Sequence, residues 1–278
     1  MRKTKDTPSR SKDKPVVTKH DIAAGLSTLG IRRGDRLFAH SSLSAFGHVD
    51  GGAQAVCDAL LDAVGPQGTA AVPTFTWGTN HDKEVVVFDV RHDVSEVGQI
   101  PETFRQRPDA IRSEHVCHSI AVIGPDAPEV IGDGVRPFAW GSGMYRLYEL
   151  DFWYVFLGCG FGSCTALHTV EELMQVPYRH YRDFNGSTVI RADGSVVPAK
   201  SLEFLRHGPY DNDFPKMQAI FENQGILRTT TVGNARIVCA KTRDIVDAGV
   251  RLLEQDIGYL LSEQARRHLA RHTAQQGD

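Results

Sequence analysis

The sequence predicts an α/β protein whose ligand-binding turns lie at the carboxyl ends of sheet strands. Short apolar runs at 36–39 (RLFA), 69–73 (TAAVP) and 154–157 (YVFL) read as buried strands. The first and third run into glycine-bearing turns followed by helical patterns, and consecutive βα-like units of this kind argue for a sheet with loops clustered at its strand ends. At 278 residues, with 41% apolar and 23% charged residues, the chain is long enough to bury a substantial core and has an ordinary globular composition.

Charge and composition set limits on function. A net charge of −3 with scattered basic residues leaves no footprint for nucleic acid. The basic, polar opening MRKTKDTPSRSKDK is expected to belong to a disordered tail over 1–17, and 18–278 to form a single domain. The opening lacks the apolar core of a signal peptide, and no later run approaches the roughly 18 apolar residues of a membrane span. Five cysteines, at 57, 117, 159, 164 and 239, show no CxxC spacing, which fits a reducing cytoplasm.

Taken in order, Thr18 and Asp21 form a capping box for a helix that Gly30 ends. The strand at 36–39 runs into His40, Ser41, Ser42, Leu43 and Ser44, a hydroxyl-rich turn suited to an anionic ligand or, more simply, to capping itself. A glycine-bearing loop holding Asp50 leads to a helix at 53–64. After the strand at 69–73, residues 78–99 read as an acidic loop that includes Asp82 and Asp89, either solvated surface or a lid that meets a cationic substrate. The stretch from Ser113 through His115, Cys117 and His118 to Ser119 precedes an apolar strand at 120–124. If it is extended, His115 and His118 point to opposite faces, which argues against a shared metal.

The strongest chemical signal lies at 154–173, YVFLGCGFGSCTALHTVEEL. A strand ends in Gly158, Gly160 and Gly162, and a helix follows. His168 is three residues from Glu171 and four from Glu172, so an imidazole and a carboxylate can meet on one helix face. A lone helical histidine is as often a packed residue as a catalyst. The GxGxG spacing is shared with dinucleotide sites, but it sits past mid-chain and lacks a suitably placed ribose acid, which rejects that reading. Beyond residue 176 the pattern gives a hairpin around Asp193-Gly194, a helix at 214–223, strands at 226–232 and 235–240, and helices at 241–254 and 257–272. This region reads as an extension, over 177–278, of a core at 18–176.

HSSLSAFG at 40–47, VPTFT at 72–76, RSEHVCHSIAVIG at 112–124, RLYEL at 146–150 and TALHTVEE at 165–172 stand in the order of the aminoglycoside 3-N-acetyltransferases, which the chain resembles. Val116 stands where that family usually has proline. The resemblance implies a three-layer α/β/α sandwich with a mixed sheet, unlike the common acetyltransferase fold. It also implies acetyl transfer from acetyl-CoA to an amine of an aminoglycoside, without a metal. Carried over by position, His168 and Glu171 are the catalytic pair, and His40, Ser41, Ser42, Leu43, Ser44, Ser113, His115, His118 and Ser119 line the CoA channel.

The residues suit that chemistry. His168 can take the proton an amine loses on attacking a thioester, with Glu171 orienting the ring, and backbone amides or the Ser119 hydroxyl can meet the oxyanion. Asp50, Asp82, Asp89, Glu172 and Asp183 are candidates for holding a polycationic substrate. Competing readings are an acyltransferase for a different amine, a metal-dependent hydrolase built on His115, His118, His168 and Glu171, a cysteine nucleophile at Cys117 or Cys164, and a sequestering protein without turnover. The expected partners are two small molecules, with no nucleic acid or membrane, and the protein is a monomer or homodimer.

Overall fold

The computed structural model describes residues 16–275, and within them the largest sheet has seven strands. Their spatial order is Arg228–Val232, Ala235–Lys241, Trp153–Leu157, Arg36–Ser41, Thr69–Pro73, Ile120–Ile123 and Ile111–Arg112. The three central strands, Trp153–Leu157, Arg36–Ser41 and Thr69–Pro73, are parallel, and antiparallel strands flank them on both sides. The sheet is therefore mixed.

Because side chains alternate across a strand, each strand feeds two cores. Tyr154 and Phe156 join Phe38, Ala71 and Val122 under helices Gly143–Glu149, Ala166–Leu173, Pro215–Asn223 and Thr242–Gln255. Their neighbours Trp153, Val155 and Leu157 join Leu37, Ala39 and Val72 under helices Lys19–Thr28, Gly52–Val64 and Gln99–Arg105. The result is the expected three-layer α/β/α arrangement. Each wholly buried aromatic or aliphatic side chain contributes roughly 1.5–3 kcal/mol relative to exposure, so both faces are committed.

The capping box forms as expected: the Asp21 N–H donates to Thr18 Oγ1 at 3.2 Å and the Thr18 N–H to Asp21 Oδ2 at 2.8 Å. Val16–Val17 pairs in parallel with His48–Val49, and the rest of the expected basic tail lies outside the described residues.

Other elements differ from the sequence reading. The acidic stretch 78–99 is not structureless: a turn of helix at Trp77–Asn80 is followed by strand Val87–Asp89, which pairs with Thr188–Ile190 of the expected hairpin. The charged run Arg179–Asp183 is a strand paired with Leu202–Arg206. Period-two hydrophobicity is absent from RHYRD, where Arg179 and Arg182 face the buried carboxylates Glu171 and Glu203 and His180 and Asp183 are exposed. The last helix begins at Glu263.

Candidate active site

The parallel strands deliver their carboxyl ends to one edge. Ser41 pairs with Leu157 at the end of the central pair, and beside it the Thr74 N–H donates to the Ser119 carbonyl at 2.8 Å. The glycine turn lies directly on the serine turn. A Cβ on Gly158 would come within 2.4 Å of Ala45 Cβ, and its φ of +69° is strained for any side chain.

Helix Ala166–Leu173 starts from this edge without a side-chain N-cap. Tyr154 on the strand beneath takes that role: its hydroxyl accepts the Ala166 N–H at 3.2 Å and lies 2.8 Å from Thr165 Oγ1. His40 completes the cluster, with Nε2 2.9 Å from the Tyr154 hydroxyl and 3.2 Å from Thr165 Oγ1. Burial pushes His40 down to about 3, so it is a neutral support beneath the helix.

One turn into the helix, His168 Nδ1 lies 2.6 Å from Glu171 Oε2. Glu171 is wholly buried, its Oε2 also faces Arg179 Nε at 2.7 Å, and its Oε1 accepts from Asn212 Nδ2 at 2.7 Å. Phe138 and Phe214 each pack on the imidazole with ring centroids 4.9 Å apart. A nitrogen so close to a carboxylate carries the proton, so Nε2 presents its lone pair. Burial and the Arg179 charge hold His168 below the ordinary histidine range, against the opposing pull of Glu171. For Glu171, burial alone would raise the carboxyl, but His168 and Arg179 hold it low. The arrangement is an uncharged base, part-exposed on one side, over a charge-balanced pair.

Segment 113–119 is not extended. His115 Nδ1 accepts the N–H groups of Cys117 and His118 at 3.2 and 3.0 Å, while its Nε2 donates to the Leu202 carbonyl at 3.1 Å. The chain turns, and the His115 and His118 rings meet at 5.5 Å instead of facing apart. Both His115 nitrogens are consumed, which leaves none for a metal or a co-substrate. Ser113 Oγ accepts the Ile120 N–H at 2.9 Å. Ser119 is tied down as well: its hydroxyl donates to the Thr74 carbonyl at 2.8 Å and accepts from Arg112 Nε at 3.0 Å. The expected oxyanion donor is therefore already committed within the protein.

Of the turn residues, Ser42 and Ser44 place their hydroxyls 3.3 Å apart on an accessible surface, Leu43 is part-buried beside them, and Ser41 Oγ is enclosed without a hydrogen-bond partner. The cysteines read as possible nucleophiles are poor ones: Cys117 and Cys164 are buried, and burial pushes both thiols well up.

The five acidic candidates separate. Glu172 lines a cavity of about 430 Å³ with Asp133, Arg136, Trp140, Tyr145 and Gln175, accepts from the Tyr181 hydroxyl and lies 3.5 Å from Arg136 Nη1. Asp89 is spent on its own loop, accepting the Arg91 and His92 N–H groups at 2.9 and 3.1 Å. Asp50, Asp82 and Asp183 are exposed on other elements, with Asp82 3.7 Å from His81. His81 in turn pairs with a second fully buried carboxylate, Glu203, which also holds Arg182 at 2.6 Å.

Sequence reasoning missed Arg179, Asn212, Phe138 and Phe214. They come from three separate stretches, and no spacing rule joins them to His168. The only sequence signal was the cluster of charge in RHYRD, which marks a partner elsewhere without naming it.

Residues 38–254 match the aminoglycoside 3-N-acetyltransferase family. The chain is 30% identical to aminoglycoside N(3)-acetyltransferase VII of Streptomyces paromomycinus, over 87% of this chain and 93% of that protein. Among solved structures it resembles aminoglycoside acetyltransferase AAC(3)-Xa, with TM-score 0.72, 30% identity and coverage of 88% of this chain and 94% of that one. It also resembles a histidine-to-alanine mutant of AAC(3)-IVa in complex with a gentamicin, with TM-score 0.78, 25% identity and coverage of 93% and 99%.

Proposed function

The chain belongs to the aminoglycoside 3-N-acetyltransferase family, and on that premise we propose that it transfers the acetyl group of acetyl-CoA to the 3-amino group of a 2-deoxystreptamine aminoglycoside, conferring resistance. The observation that carries the reading is the His168–Glu171 pair at 2.6 Å with Arg179 balancing the carboxylate. His168 Nε2 takes the proton released as the amine attacks the thioester carbon, and Glu171 steadies the imidazolium that forms. The proton then goes to the departing thiolate. Glu171 acts through His168 and is a positioning residue.

Acetyl-CoA enters along the serine turn, where the Ser42 and Ser44 hydroxyls can donate to it, beside the glycine turn at Gly158. Ser41, with its unpartnered hydroxyl, supports the same assignment. The cavity bounded by Glu172, from the helix that carries His168, with Asp133 and Trp140 suits a cationic sugar, through carboxylates for ammonium groups and an indole face for the ring. A relative in complex with a gentamicin supports that substrate class. No helix among the described residues is long and apolar enough to cross a membrane, and the five free cysteines suit the reducing cytoplasm.

The test is incubation with acetyl-CoA and a panel of 2-deoxystreptamine compounds, following free thiol and the mass of the product. A single added acetyl group on the antibiotic supports the reading. Turnover only with unrelated amines would replace the substrate, and no thiol release with any amine would remove the activity.

A further inference from the structure

The reaction needs a donor for the thioester oxygen, and Ser119 cannot be that donor because its proton goes to the Thr74 carbonyl. We propose that His118 fills this role as a neutral imidazole, its Nε2–H donating to the oxyanion formed when the amine attacks. The inference rests on the acetyl-transfer reading and adds a catalytic residue to it.

Three observations support the assignment. First, the His118 and His168 rings pack on the same residue, Phe138, with centroid separations of 5.1 and 4.9 Å. The shared neighbour holds the two imidazoles in the same part of the site. Second, the Ser119 carbonyl next to His118 accepts the Thr74 N–H at the end of a strand paired in parallel with Arg36–Ser41, which puts His118 at the same sheet edge as the serine turn where acetyl-CoA is proposed to enter. Third, His118 Nδ1 is enclosed without a hydrogen-bond partner, whereas the residue as a whole is part-exposed.

That orphan decides the tautomer. A neutral ring has one N–H. Placing it on Nδ1 would bury an unpaired donor, which proteins tolerate less well than an unpaired acceptor, so the proton sits on Nε2 and faces the open side. Burial, together with the nearby His115, His168, Arg179 and His81, keeps the ring well below the ordinary histidine range. A neutral imidazole polarising a carbonyl is a known catalytic device. In the step itself, the amine nitrogen bonds to the thioester carbon and the π pair moves to oxygen, where His118 Nε2–H meets it. The amine proton passes to His168 Nε2. The oxyanion then re-forms the carbonyl, the C–S bond breaks, and the thiolate takes the proton from His168.

The test compares His118→Phe, which keeps a ring without a donor, with His118→Gln, which restores an N–H near the Nε2 position. Loss of one oxyanion donor typically costs about 10²–10³ in kcat. His118→Phe should lose about that much kcat with little change in the KM for acetyl-CoA, while His118→Gln regains at least about tenfold of the loss. The acid limb of the pH–rate profile should remain in both variants, because His168 sets it. Should the Phe variant fold poorly, His118→Leu supplies the donor-less comparison. A Phe or Leu variant with kcat within about threefold of wild type, or a Gln variant no faster than either, overturns the inference alone. Wild-type protein that releases no thiol overturns the functional reading and this inference with it.

Discussion

Glu171→Gln separates the two tasks of the buried carboxylate. Glu171 is inaccessible to solvent and faces His168, Arg179 and Asn212, while the Arg179 side chain is only 7% exposed. Neutralising the carboxylate leaves a buried guanidinium without its counter-charge, a loss of about 3–5 kcal/mol. At about 2–4 °C per kcal/mol for chains approaching this size, Tm should fall on the order of 10 °C. Turnover should fall as well. A glutamine can offer its NH₂ to Nδ1, which shifts the ring proton to Nε2 and removes the lone pair the amine needs, for a loss of about 10²–10⁴. Urea unfolding and thiol-release kinetics measure the two effects. The double variant Glu171→Gln/Arg179→Met then discriminates between them: removing the orphaned charge should restore stability relative to the sum of the single variants by about 1–3 kcal/mol, while turnover stays low. If Glu171→Gln unfolds within about 0.5 kcal/mol of wild type, or if the double variant shows no coupling, the carboxylate is not the balanced partner described above.

Three further outcomes follow from the same geometry. His168→Ala should lower kcat by at least about two orders of magnitude with acetyl-CoA binding nearly unchanged, and the acid limb of kcat/KM, expected below about 6.5 in the wild type because burial and Arg179 lower this histidine, should vanish with the imidazole. An alanine variant with near wild-type turnover at neutral pH would return His168 to a packing role. Ser42→Trp should weaken acetyl-CoA much more than the antibiotic, measured by calorimetry on folded protein, and unchanged CoA affinity removes the serine turn from the site. Finally, burial holds His40 at about 3 and His115 at about 4, so their stabilising contribution is complete above the unfolded value of about 6.5 and is lost as pH falls toward those folded values. The urea midpoint should decline between about pH 6.5 and 4.5, before the carboxylates titrate, and a flat midpoint across that window would mean that these rings are not held neutral.

The helix carrying His168 was legible because three-residue spacing on a helix is a local geometric fact, and the strands were legible because burial on both faces leaves continuous apolar runs such as TAAVP. The 113–119 segment was misread because its shape comes from a side chain: His115 gathers two backbone N–H groups and turns the chain, an effect that strand periodicity cannot register. The acidic candidates fared unevenly for a related reason. Charge marks a residue as able to bind a cation, but whether its oxygens are free depends on neighbours. Asp89 is already occupied by its own loop, whereas Glu172 is aligned with His168 by helix periodicity and lines a cavity.

Arg179 at first looks misplaced, a buried positive charge next to the proposed base of an enzyme for polycations. Its charge works together with burial, the larger influence, to hold the imidazole low against the upward pull of the Glu171 carboxylate. Arg179, 2.7 Å from Glu171, opposes that pull without taking the carboxylate's hydrogen bond to Nδ1, so the ring keeps its orientation. The residue that does this lies on strand Arg179–Asp183, and Asn212 and Phe214 come from still later in the chain, all within the region read from sequence as an extension. On the proposed reading, the environment of His168 is set jointly by its own helix and by residues beyond 176: residues up to 176 include the histidine and its carboxylate but not Arg179, Asn212 or Phe214.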